Sequence, residues 1–183
     1  MFVAQSLTAA AEVSGPGLHY GRLTRVRVLP APAGTGRRFA RVDHPGAPAV
    51  AAESTNVVDT ELATTLADGP ARVQTVEHLL AALQLLGIYD ARIEIYGSEV
   101  PALDGSAEPV VQALMQAGLR QGPHVEPVVV QQTLLVQDGQ AEVSCRPGEG
   151  CSLEGLYSFA HPLLQRQSRT VQATGFMAEL TSA

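Results

Sequence analysis

"TRVRVLPAPAGTGRRFARVDHP", Thr24 to Pro45, has a counterpart later in the chain, "AEVSCRPGEGCSLEGLYSFAHP", Ala141 to Pro162. Both run strand, proline, glycine-rich turn, strand, His-Pro. Alternation over Thr24–Leu29 predicts one strand, "APAGTG" a loop, and Arg37–Asp43 the return strand of a hairpin. Pro30 and Pro45 stand fifteen residues apart, as do Pro147 and Pro162. Each copy also follows a glycine-bearing turn, "LHYG" at 18–21 and "QDGQ" at 137–140. The echo suggests two copies of one α+β unit.

The stretch between the copies completes the first unit. "LATTLADGPARVQ", Leu62–Gln74, reads as a hairpin around Asp68-Gly69. In "VQTVEHLLAALQLLG", Val73–Gly87, the residues Val76, Leu79, Leu80, Leu83 and Leu86 form an apolar stripe at helical spacing, and Gly87 ends the helix. Ala91–Gly97 is a strand. "LDGSAEPVVQALMQAG", Leu103–Gly118, is a turn and a second helix ending at Gly118. The first domain is thus expected over residues 1–118. A polar linker, "LRQGPHVEP", follows at 119–127. Residues 128–183 then form the N-terminal part of a second, similar domain. That copy stops in "GFMAELTSA", which reads as the start of a helix, so the chain is expected to end inside its second domain.

Composition narrows the function. With 45% hydrophobic and 16% charged residues, the 183-residue chain is ordinary globular protein. A net charge of −6 argues against nucleic acid as the main partner. All twelve basic residues are arginine, which excludes a catalytic or phosphate-loop lysine within these residues. No apolar run reaches the roughly 18 residues of a membrane span. The first positive charge is Arg22, so a secretory signal is not expected. Cys145 and Cys151 do not have common zinc-pair spacing and read as reduced thiols of a cytoplasmic protein.

Glu77 and His78 sit side by side at the start of the first helix. If Thr75 caps it, they occupy its second and third positions, where the helix dipole favours a carboxylate. Such a pair is either solvated decoration or half of a site, and position 81 is alanine, so no His-Glu-x-x-His zinc motif is present. His19, in "SGPGLHYG", is flanked by glycines that allow a close approach or a tight turn. Asp104, in "VPALDGSAEP", heads an Asp-Gly turn or belongs to a site. His44 and His161 precede prolines and read as turn residues. His124 falls in the linker and reads as solvated.

The order of blocks decides between these readings. "SGPGLHYG", "LPAPAGTGRRFARVD", "VVDTELATTL", "VQTVEHLLAALQLLGI" and "VPALDGSAEPVVQALMQAG" together resemble the UDP-3-O-acyl-N-acetylglucosamine deacetylases of lipid A biosynthesis. "AHPLLQRQSRT" resembles the family's His-Pro segment. The resemblance implies an α+β fold of two similar two-layer sheet/helix domains, of the ribosomal protein S5 domain 2-like kind, the second incomplete here. It implies zinc as cofactor, His78 as a zinc ligand and Glu77 as general base, with His19 and Asp104 supporting the site or binding substrate. Zinc-activated water would attack the acetamide of the nucleotide-sugar lipid precursor, with Glu77 taking its proton and acetate departing. A cytoplasmic protein, monomeric when complete, is expected. The family's other zinc ligands, a His-x-x-x-Asp pair, and its proton-donating histidine have no counterpart in the 183 residues, so this chain is expected to be inactive alone. The competing readings are a non-catalytic relic or binding module of the same fold, and a structural domain in which the Glu-His pair is incidental.

Overall fold

The computed structural model describes residues 2–172 together with Met177, Glu179 and Thr181. They divide into two compact units, the first built on Phe2–Val125 and the second beginning at Glu126. Most of "GFMAELTSA", where a helix start is expected, lies outside the described residues; Met177 and Glu179, which are described, are helical.

The first unit runs β1 (Phe2–Leu7), β2 (Ala11–Pro16), β3 (Leu23–Pro30), β4 (Arg37–Arg41), β5 (Ala49–Ala51), β6 (Val57–Asp59), β7 (Thr65–Asp68), β8 (Ala71–Gln74), α1 (Glu77–Leu85), β9 (Ala91–Tyr96), α2 (Glu108–Gln116) and β10 (Leu119–Val125). Its main sheet has the order β2-β3-β9-β4-β5, antiparallel throughout except that β4 lies parallel to β9. Strand parity puts Val26 and Val28 of β3, and Ala91, Ile93 and Ile95 of β9, into the core. Phe39 and Val50 join them from β4 and β5, Leu79, Ala82 and Leu83 from α1, and Val110, Val111 and Leu114 from α2. The stripe read for α1 holds at Val76, Leu79 and Leu83, whereas Leu80 and Leu86 are only partly buried. α1 packs on α2 and α2 on β2, so the fold is α+β.

Two expectations fail here for identifiable reasons. β3 and β4 are not a hairpin: β9 lies between them, with Ala91 opposite Pro30 on one side and Arg37 on the other. The loop Ala31–Gly36 therefore crosses two strand spacings, about 10 Å. Asp90 fixes its end by accepting the N–H of Gly36 at 2.8 Å. The hairpin around Asp68-Gly69, by contrast, forms as β7–β8. The stretch read as a linker holds β10, which pairs antiparallel with β1 from Leu7↔Leu119 to Phe2↔Val125. Its Gly122-Pro123 falls where the register slips, so that both residues stand against Ala4. A bulge is a place where a strand accepts a proline.

The second unit shows two antiparallel hairpins, β11 (Leu134–Asp138) with β12 (Ala141–Cys145), and β13 (Ser152–Ser158) with β14 (Arg166–Gln172). Among the described residues β12 and β13 do not pair with each other. The echoed segments therefore share a feature that no hairpin reading anticipates: in each, the described strands on either side of the glycine-rich turn pair with other strands, not with one another.

Candidate active site

The helix carrying Glu77 and His78 starts abruptly. Thr75 has φ of +59°, an unusual backbone for a β-branched residue. Its hydroxyl is buried without a partner, so it does not cap the helix as expected. Val76 holds the cap position and its carbonyl accepts the N–H of Leu80. Glu77 and His78 are accordingly the first and second helical residues, still within the turn where the dipole favours a carboxylate. Gly87, at φ +67°, lets the chain leave the far end, as read from sequence.

Glu77 is half-buried and His78 is exposed. Oε2 of Glu77 accepts the N–H of Thr64 at 3.1 Å, tying the helix start to the loop before β7. Oε1 has no hydrogen bond among the described residues.

Neighbouring segments close around this start. Gln74 donates to the carbonyl of Ser98 and accepts from Val100, both at 3.0 Å, which clasps residues 98–100 beside the approach to the helix. Glu99, wholly buried between those two bonds, accepts the N–H of His19 (Oε2, 3.1 Å) and of Tyr20 (Oε1, 3.1 Å). Gly17 bridges Pro101, and Ala102 donates to the carbonyl of Pro16. The segments bearing Glu77, His19 and Asp104 are thus joined through residues 98–102.

Thr75 (φ +59°) and Leu103 (φ +52°), just before Glu77 and Asp104, and Leu62 (φ +61°), just before Thr64, are non-glycine residues in the left-handed region, as are Ala47 and Gln165 elsewhere in the chain. Such conformations cost on the order of 1–3 kcal/mol apiece and gather at functional sites.

The individual side chains differ in what they offer. His19 Nε2 is buried and has no hydrogen-bond partner among the described residues. Asp104 is exposed, and its Oδ1 accepts from the N–H and the hydroxyl of Ser106, which hold its carboxyl below the usual range. It organises the turn into α2, where Ser106 Oγ in turn accepts the N–H of Glu108. His44 contacts Arg41, His161 accepts the N–H of Leu163 within its turn, and His124 is exposed on β10. Cys145 and Cys151 are free and exposed.

Two polar elements escaped the sequence reading. One is Glu99; the inward parity of Ala91, Ile93 and Ile95, carried on past Gly97, would have marked it as facing inward. The other is a clamp. Buried Arg41 binds both oxygens of Asp43 at 2.9 Å and donates to the carbonyl of Arg72 at 2.8 Å, while Asp43 accepts from Gly97 at 3.1 Å. It fastens the strands that lead to Thr75 and to Glu99.

Among the described residues no three His, Cys, Asp or Glu side chains converge on a point that could hold a metal. A catalytic zinc takes three protein ligands, and these residues offer only His78 at the site, so by themselves they do not fit zinc.

Sequence comparison completes the picture. The family described as LpxC, UDP-3-O-acyl N-acetylglycosamine deacetylase, matches residues 4–183. A UDP-3-O-acyl-N-acetylglucosamine deacetylase of Citrifermentans bemidjiense is 40% identical over 173 residues, 94% of this chain and 57% of that protein. The protein of the same name from Trichormus variabilis is 53% identical over 114 residues, 62% of this chain and 41% of its own length. That from Myxococcus xanthus is 39% identical over 165 residues, 90% of this chain and 52% of its own. This chain belongs to the LpxC family of UDP-3-O-acyl N-acetylglycosamine deacetylases. It spans about half the length of the curated relatives it matches.

Proposed function

We propose that the protein serves the hydrolysis of the N-acetyl group of UDP-3-O-acyl-N-acetylglucosamine in lipid A biosynthesis, with Glu77 as the proton acceptor. The observation that carries this reading is the state of the Glu77 carboxylate. One oxygen is fixed by Thr64, the other has no hydrogen bond among the described residues, and both stand at the positive end of a helix. A carboxylate held in this way keeps its aim while taking a proton from an attacking water. His78, exposed in the same turn, is one ligand of the zinc that the family resemblance implies. The remaining ligands and the proton donor are not among the described residues. His19 and Asp104 border the substrate. Among the described residues no helix is long and apolar enough to cross a membrane. A cytoplasmic location and a monomeric complete protein fit the reading. We further propose that the second unit follows the plan of the first, two-layer and S5-like, with a strand between β12 and β13 in the place that β9 takes between β3 and β4.

The alternative, a binding module that does not catalyse, draws on the single metal-ligand candidate within these residues. One experiment decides between the two. The 183-residue chain, supplied with zinc and the nucleotide-sugar substrate, should release no acetate. The same chain joined to a segment carrying the family's His-x-x-x-Asp pair should release it in a chelator-sensitive manner. Silence from both would favour the binding module.

A further inference from the structure

Glu99 is the one fully buried acidic residue among the described residues of the first unit, and the chemistry above gives it no part. A carboxylate is buried at heavy cost unless hydrogen-bonded, and charge-assisted N–H bonds are the strong remedy. Glu99 receives two, from successive backbone nitrogens of one loop. The loop is shaped to meet it. Gly17 donates to the carbonyl of Arg22, Gly21 donates back to Gly17, and a Cβ on Gly17 would overlap the Glu99 carboxylate. Glycine at 17 is therefore required by this contact. Glu99 itself cannot drift, because the bonds of Gln74 to Ser98 and Val100 bracket it.

The result is a rigid chain of contacts from the approach to α1, through Glu99, to His19, whose Nε2 stands buried without a partner. An orphaned buried nitrogen is costly and calls for a partner that arrives from elsewhere. We propose that Glu99 is a positioning residue: by holding the loop Gly17–Tyr20 through two backbone bonds, it sets the imidazole of His19 for a hydrogen bond to substrate. This rests on the reading that His19 borders the substrate site. Glu99→Gln tests it closely, since the amide keeps the shape but presents one acceptor oxygen and an N–H₂ group to two N–H donors.

The experiment is NMR on the isotopically labelled 183-residue chain. In Glu99→Gln the ring nitrogen signals of His19 should shift, and amide exchange at His19 or Tyr20 should rise at least tenfold. Exchange at Leu79 and Ile93 should stay as in the parent. A purely structural role would leave the His19 ring signature unchanged or loosen all amides alike, and either result overturns the proposal. The parent protein supplies a second measurement should the variant fail to fold. Scalar couplings across the hydrogen bonds should link the side-chain carboxyl carbon of Glu99 to the amide nitrogens of His19 and Tyr20; their absence would overturn the proposal equally. None of these signals depends on turnover, so a chain that proves not to serve deacetylation still answers the question.

Discussion

Oε2 of Glu77 lies 3.1 Å from the backbone nitrogen of Thr64 and accepts its hydrogen, which commits one oxygen of the carboxylate and leaves the other open. The same bond anchors the loop before β7. Glu77→Ala should therefore speed amide exchange at Thr64 about fivefold, the equivalent of ~1 kcal/mol for a partly exposed hydrogen bond. Exchange at Leu83, deep in the core, should not change. An unaltered Thr64 would mean that the loop holds its place without the carboxylate.

The Arg41–Asp43 clamp is expected to be worth more. Arg41 is 8% exposed and satisfied on three sides, so Arg41→Ala strands the Asp43 carboxylate and the Arg72 carbonyl. The loss should be about 2 kcal/mol in urea unfolding, since Arg41 is buried while the Asp43 side chain is 29% exposed and keeps the N–H of Gly97. A loss below about 0.5 kcal/mol would class the clamp with ordinary surface pairs.

The clamp also has a pH signature. Burial pushes the Asp43 carboxyl up, but the hydrogen bond and charge of Arg41, with the N–H groups of Asp43 and Gly97, together hold it below the ordinary value. A carboxyl depressed in the folded state contributes stability that is complete above its unfolded value, about 4, and is lost as pH falls through the folded value. Stability should therefore decline below about pH 4 in the parent protein. Asp43→Asn should be less stable at neutral pH and show a shallower decline. Parallel curves for the two proteins would contradict the assignment.

Strand β10 sets where the first unit ends. Proteases should cut after Val125, in the strand-free stretch 126–133, and leave a resistant core. A fragment of residues 1–125 should melt cooperatively. A fragment of residues 1–118 should melt lower, because β1 loses β10, its only ladder partner among the described residues. Equal melting of the two would show that β10 is dispensable.

What could be read from sequence was what local chemistry decides. The period of Val76, Leu79 and Leu83 gave a helix, the alternation of Ile93 and Ile95 a strand, and Asp68-Gly69 a hairpin. What could not be read was what distant partners decide. β9 parts β3 from β4 although fifty residues of chain intervene, and a bulge against Ala4 lets Gly122-Pro123 remain in a strand. At the site, Glu77, His78, His19 and Asp104 were visible as residue types in ordered blocks. The partners of Glu99 and the clamp at Arg41 were not, since each depends on backbone groups far away in sequence. The failed cap has the same cause. Thr75 looked like a helix starter, but the joining of Gln74 to Ser98 and Val100 accompanies a backbone in which its hydroxyl cannot cap.

The proposed roles, Glu77 as proton acceptor and His78 as metal ligand, separate in the chain joined to a segment bearing the family's His-x-x-x-Asp pair. Because Thr64 must face an oxygen, Glu77→Gln should turn its N–H₂ group to where the free oxygen stood, replacing the acceptor with a donor. Acetate release and bound zinc, measured together, should part company in this variant, with zinc retained and turnover reduced about a hundredfold or more. His78→Ala should lose both. Near-normal acetate release from Glu77→Gln would rule out Glu77 as the proton acceptor, and full zinc retention in His78→Ala would rule out His78 as a metal ligand.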